Sequence, residues 1–174
     1  AERDQVEQRG DGGHARRVGE AAATLEAAQR LLEGRPGRVA VAAVLQVTTG
    51  DVRRRHHERL VERLVGLVRE TDTVCHLSGD EFLIVLTGMD TPDDAARAAE
   101  KILDRLRQPF DIDSQQLGTS FSIGIALYPE DGTTVESLMK NADTAMYHAK
   151  ERGKNNFQFY QADMNATALE RLEL

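Results

Sequence analysis

Residues 73–87 run Thr-Val-Cys-His-Leu-Ser-Gly-Asp-Glu-Phe-Leu-Ile-Val-Leu-Thr. Two short apolar runs, 73–78 and 81–87, flank Gly79-Asp80. Glycine supplies a positive φ at no steric cost, so the segment predicts a β-hairpin closed by a tight turn. Working outward, residues 51–69 carry Leu60, Val61, Leu64, Val65 and Val68 at helical spacing. Before them, VAVAAVLQV (39–47) is nearly continuous in apolar residues, the pattern of a central strand buried on both faces.

Downstream, Thr91-Pro92-Asp93-Asp94 starts a helix, with Thr91 as N-cap, proline at the first helical position and carboxylates in the first turn. That helix runs to about Gln108 and stops before Pro109. GTSFSIGIALY (118–128) is a long strand closed by Pro129-Glu130-Asp131-Gly132. A helix over 134–152 ends at Gly153, a last strand covers 156–160, and 164–174 reads as a further helix. Residues 18–33 (Ala22, Leu25, Ala28, Leu32) predict a helix ended by Gly34 and the Arg35-Pro36-Gly37 turn, and residues 1–17 predict a frayed segment. The central order, strand–helix–strand–strand–helix–strand, is the split βαβ of a ferredoxin-like sheet: an α+β (α/β) fold with a βαββαβ core and extra helices and a strand.

The 174 residues are the size of one domain. Aromatics are 5% and Trp is absent, so Leu, Val, Ile and Ala must build the interior. A formal charge of −7 argues against nucleic acid, whose binders concentrate Lys and Arg. It leaves room for a small anion held by a local Arg pair. The single cysteine, Cys75, suits a reducing compartment. No run of about 18 apolar residues predicts a membrane span. The expectation is a cytoplasmic domain, or the cytoplasmic part of a longer membrane-tethered protein. Arg53-Arg54-Arg55-His56-His57 reads as a solvated helix face, because a helical metal pair wants i,i+4 spacing. His76 reads as a half-buried polar residue.

Leu77-Ser78-Gly79-Asp80-Glu81-Phe82 resembles the Gly-Gly-Asp-Glu-Phe signature of the GGDEF family. Further segments match that family in order: Arg69-Glu70-Thr71-Asp72, Ser122-Ile123-Gly124-Ile125-Ala126 with Tyr128-Pro129, Ala142 to Lys150 (ADTAMYHAK), and Gly153-Lys154-Asn155. Together they span about 39–160. The tail, Phe159-Tyr160 then Met164-Asn165 and Ala168 to Leu172, is similar to the linker helix that joins GGDEF to EAL phosphodiesterase domains. The resemblance implies a nucleotidyl-cyclase-like GGDEF domain over 18–160 and a linker, 161–174, towards a downstream EAL domain in cis. Homodimers are implied too, since the family reaction runs across two domains.

The resemblance also implies a chemistry. Family members condense two GTP into cyclic-di-GMP, which needs metal to neutralise phosphate charge and a carboxylate to help remove the proton. Asp80 matches a metal ligand and base, and Glu81 a second catalytic carboxylate. Ser78, Gly79, Lys150 and Lys154 match the phosphate-binding positions. Three departures predict that these are vestiges. Ser78 replaces the first signature glycine. Gln46-Val47-Thr48 stands where the family has Asp-x-Asp, so a neutral amide replaces a carboxylate at magnesium. The segment from Thr49 to His57 is shorter than the family's guanine-reading stretch and has no Asn. Mg²⁺ is expected only together with a bound nucleotide.

Arg69 and Asp72 match the family's RxxD motif, the inhibitory cyclic-di-GMP site, with Arg97 or Lys101 as a second cation. The plain alternative is a helix-end ion pair between Arg69 and Asp72. The expectation is therefore a degenerate GGDEF module that binds cyclic-di-GMP and regulates. An active diguanylate cyclase, and a GTP-binding activator of an adjacent EAL phosphodiesterase, are the two alternatives.

Overall fold

The fold is that of a computed structural model. It describes residues 18–19, 26, 30, 38–48, 54–112 and 115–164, with 18–19, 38–48, 54–57, 112, 115 and 117 described by backbone alone. The strands are β1 (Val18–Gly19), β2 (Arg38–Thr48), β3 (Thr73–Ser78), β4 (Glu81–Met89), β5 (Phe110–Ile112), β6 (Gln115–Leu117), β7 (Ser120–Tyr128) and β8 (Asn156–Phe159). The helices are α1 (Arg54–Leu67), α2 (Pro92–Leu106) and α3 (Val135–Glu151). One sheet has the order β1-β3-β4-β2-β7-β8. Its middle, β3-β4-β2-β7, is antiparallel throughout and is the ferredoxin-like arrangement that the element order predicts. β1 and β8 extend it by parallel pairing at its two edges.

The period-2 geometry of β4 explains its unbroken apolar run. Phe82, Ile84 and Leu86 join one core with Leu60 and Leu64 of α1 and Ile102 and Leu106 of α2. Leu83 and Val85 join a second core with Leu138, Ala142 and Met146 of α3. The sheet is therefore buried on both faces, with α1 and α2 on one side and α3 on the other among the described residues. On the α3 side, a Cβ built on Gly124 of β7 would lie 1.9 Å from the Ala142 carbonyl oxygen and 2.3 Å from the Met146 nitrogen. The helix backbone rests directly on that glycine.

Helix starts follow the sequence. Asp94 reaches back to accept from the N–H of Thr91 (2.9 Å) and of Asp90 (3.0 Å), the acid half of a capping box. Thr134 Oγ1 accepts from the Ser137 N–H at the start of α3. The backbone bonds at Thr91, with the Arg97 guanidinium next, pull the Asp94 carboxyl down from 3.8 to about 2. A depressed carboxylate adds stability that is present above its unfolded pKa and lost as pH falls through the folded value. Asp94→Asn should therefore flatten the decline of Tm between about pH 4 and pH 2 at low ionic strength. An unchanged acid limb would show that the cap contributes nothing there.

One expectation needs correction, and one element is new. Val18–Gly19, predicted as the start of a helix over 18–33, is strand, paired in parallel with Val74 and Cys75. The open edge of β3 offers backbone partners that local helical spacing cannot outweigh. Glu26 and Arg30 are helical; the rest of that predicted helix, the frayed segment 1–17 and the linker beyond Met164 lie outside the described residues. The new element is the β5–β6 hairpin, for which the sequence pattern carries no expectation. It packs through Phe110, which is buried and lies under the Arg63 guanidinium of α1 at 3.7 Å. Arg63 also donates to the carbonyls of Arg105, Gln108 (2.6 Å) and Pro109, which closes the end of α2. Burial lowers the Arg63 pKa, against the pull of Asp111.

Candidate functional site

Two places collect the residues singled out from sequence. At the first, the β3–β4 turn, Ser78 pairs with Glu81, and Gly79 has φ +51°. The His76 ring packs against Phe82 at 5.0 Å, and its Nε2 lies 2.9 Å from the Gly79 carbonyl oxygen. Ser78 and Gly79 are exposed, and Asp80 and Glu81 are half-buried. In β2, Gln46 sits between Glu81 on β4 and Ser122 on β7. Gln46 thus lies in the sheet directly opposite Glu81. Among the described residues, no three His, Cys, Asp or Glu side chains converge as metal ligands.

Lys150 lies at the last turn of α3 and Lys154 beyond it, where Gly153, Lys154 and Asn155 all have positive φ (104°, 60°, 51°). Non-glycine residues in that region persist only when their surroundings hold them. Asn155 is held from both sides: its Oδ1 accepts from the Phe121 N–H at 3.0 Å, and its carbonyl accepts from Arg107 Nη2 at 2.6 Å. No hydrogen bond or ion pair joins Lys150 or Lys154 to Asp80 or Glu81 among the described residues.

The second place is a groove of about 210 Å³ between the end of α1, β4 and α2. Its floor is apolar, from the buried Val68, Leu86, Met89 and Ile102. Its rim carries three cations, Arg69, Arg97 and Lys101, against two carboxylates, Asp72 and Asp94. A locally positive rim on a chain of net charge −7 is an arrangement suited to a small anion. Arg69 and Asp72, close in sequence, and Arg97, on a later helix, line the same groove.

Their partners differ from the helix-end ion pair that the spacing alone suggests. Asp72 Oδ2 accepts from the Arg69 backbone N–H at 2.8 Å, and Oδ1 accepts from the Thr87 N–H of β4 at 3.0 Å. The exposed Arg69 guanidinium has no partner among the described residues. Arg97 pairs with Asp94, one turn before it on α2, and Lys101 donates to the Leu67 carbonyl at the end of α1 at 3.2 Å. Asp94 is the groove residue that sequence reasoning placed only as a helix-start acid. Its three-residue spacing to Arg97 was the available signal.

The family model for "Diguanylate cyclase, GGDEF domain" matches residues 58–156, more than half of the chain. The chain belongs to the GGDEF domain family. Its turn and its groove lie inside that matched segment. The bifunctional diguanylate cyclase/cyclic di-GMP phosphodiesterase MucR of Pseudomonas aeruginosa is 48% identical over 115 residues, covering 66% of this chain and 17% of that protein. The chain thus spans about a sixth of this relative's length. An EAL/GGDEF domain protein of M. capsulatus is 41% identical, with a TM-score of 0.67 over 76% of this chain and 92% of the solved one. The GGDEF domain of TpbB (YfiN) from Pseudomonas aeruginosa superposes with a TM-score of 0.75 at 28% identity, over 83% and 97% of the two chains. Among the described residues no helix is long and apolar enough to cross a membrane.

Proposed function

We propose that this GGDEF domain binds cyclic-di-GMP in the groove at Arg69 and Asp72, does not condense GTP, and regulates a longer protein that carries an EAL phosphodiesterase domain. The observation that supports the reading best is the groove itself. Planar guanidinium groups make bidentate bonds to phosphate and to a guanine edge, and an apolar floor accepts the face of a base. The M. capsulatus relative, described as an EAL/GGDEF domain protein, supports a place for this domain beside an EAL domain.

The donor set at the turn does not fit a catalytic magnesium. Asp80 and Glu81 supply carboxylates, but the neighbouring strand position is Gln46, a neutral amide. Ser78 also places a side chain where the family's phosphate approaches bare glycine. In this reading the turn lacks, among the described residues, the third carboxylate that a metal-dependent condensation needs. In this reading Lys150 and Lys154 are remnants of a phosphate site, and their charges favour the negative end of α3.

Incubation with GTP and Mg²⁺ tests the reading. The expected outcome is no cyclic-di-GMP, with Asp80→Asn indistinguishable from wild type. Turnover that Asp80→Asn abolishes would establish an active cyclase instead. Saturable GTP binding without turnover would favour the GTP-binding activator.

A further inference from the structure

The sheet ends differently at its two edges. The outer side of β3 is paired with β1, whereas β8 pairs with β7 alone among the described residues. Open edges are usually blunted by proline, by charges within the strand or by a bulge. β8 reads Asn-Phe-Gln-Phe and has none of these. The Tyr160 N–H bonds the Ile125 carbonyl at 2.7 Å, so the even-numbered positions direct their backbone groups at β7. By alternation, Phe157 and Phe159 direct theirs at the open edge. Their rings, edge to face at 6.0 Å, lie against the core under α1 and α2 and are only half-buried.

We propose that β8 is a docking edge for a second copy of this chain, the two β8 strands running antiparallel about a two-fold axis at Gln158. Phe157 of one copy then faces Phe159 of the other, and each such pair exchanges two backbone hydrogen bonds. Aromatic pairs across strands add to the contact. The charges fit this direction. Lys154 precedes β8 and Asp163 follows it; both are exposed, and neither has an ion-pair partner among the described residues. Antiparallel docking brings the Lys154 end of one copy to the Asp163 end of the other, twice by symmetry. Parallel docking would set like charge against like. β2 and β7 separate this edge from the β3–β4 turn, so the contact is distinct from a dimer built across two turns. With four residues per strand the interface is small, and the dimer is weak and concentration-dependent.

Cysteine trapping tests the pairing. At the two-fold, Gln158 faces its own copy at a Cα separation of about 4.5 Å, within the span of a disulfide. Gln158→Cys should give a disulfide-linked dimer under mild oxidation. Gln161→Cys, exposed but three positions from the axis, should stay monomeric. The native Cys75 is buried and does not contribute. No linkage through Gln158→Cys, or equal linkage through both, would overturn the proposal. In sedimentation, Lys154→Glu should weaken self-association about 3- to 10-fold, and Asp163→Lys in the same chain should restore it. An unchanged constant, or a wild type monomeric up to about 1 mM, would overturn it as well.

Amide exchange separates a second copy from any other cover. The Phe157 and Phe159 amides should exchange freely in dilute protein and slow as concentration rises. Protection that does not depend on concentration would show that the edge is covered from within the chain, and the second copy would fall.

Discussion

Replacing Gly124 by alanine should destabilise the domain by about 3 kcal/mol or more, at the upper end of the cost of overpacking a core. The reason is the nature of the obstacle. The added carbon would sit 1.9 Å from the Ala142 carbonyl oxygen and 2.8 Å from the Met146 Cα, all helix backbone. A side chain can rotate away, but a helix must move as a unit. Such a shift would open the core formed by Leu83, Val85, Leu138, Ala142 and Met146. Chemical denaturation of wild type and Gly124→Ala reads the effect directly. Gly66, which has nothing within 4 Å of its added carbon, is the control. Gly66→Ala lies inside α1 and should be neutral or mildly stabilising, by up to about 1 kcal/mol. Equal stabilities for Gly124→Ala and wild type would contradict the close approach.

Arg69→Ala is expected to have the largest effect on ligand binding. Hydrogen bonds to a charged group contribute about 1.5–3 kcal/mol, and Arg69 is the cation of the groove that no internal partner engages among the described residues. Its loss should weaken cyclic-di-GMP binding about 10- to 100-fold while leaving Tm nearly unchanged, because the side chain is exposed. Arg97→Ala should cost less. Its guanidinium already pairs with Asp94, so a phosphate gains it only by displacing that carboxylate. Calorimetric titration of both variants establishes the order. A larger loss for Arg97→Ala would place the ligand's phosphates nearer α2 than the geometry implies.

Much of the fold was legible because the strongest signals agree with one another. The nearly continuous apolar run at 39–47 reads as a central strand, and β2 lies inside the sheet between β4 and β7. Gly79 between two strands required a tight turn, and its φ is positive. Misses occurred where the deciding partner is remote in sequence. Val18–Gly19 is strand because β3 offers an edge, which helical spacing within 18–33 does not reveal. The strands β5 and β6 have three residues each, too short to show alternation, and they depend on Arg63 of α1 stacking on Phe110.

The site shows the same division. Spacing brought Arg69 and Asp72 to notice, but it suggested that they pair with each other. In the fold, Asp72 instead bonds two backbone N–H groups, one of them at Thr87, on the strand that the predicted hairpin folds back beside it. Asp94 was visible as a helix-start acid, and only the packing of α2 across the end of α1 makes it part of the groove. At the turn, the resemblance singled out Gln46, and the strand register puts that residue opposite Glu81.

The most direct measurement is a pair of calorimetric titrations of the intact protein, one with cyclic-di-GMP and one with GTP and Mg²⁺. Saturable binding of cyclic-di-GMP that Arg69→Ala removes, with no heat from GTP and no product formed, is the predicted result. Binding of GTP with turnover, and no response to cyclic-di-GMP, would contradict it.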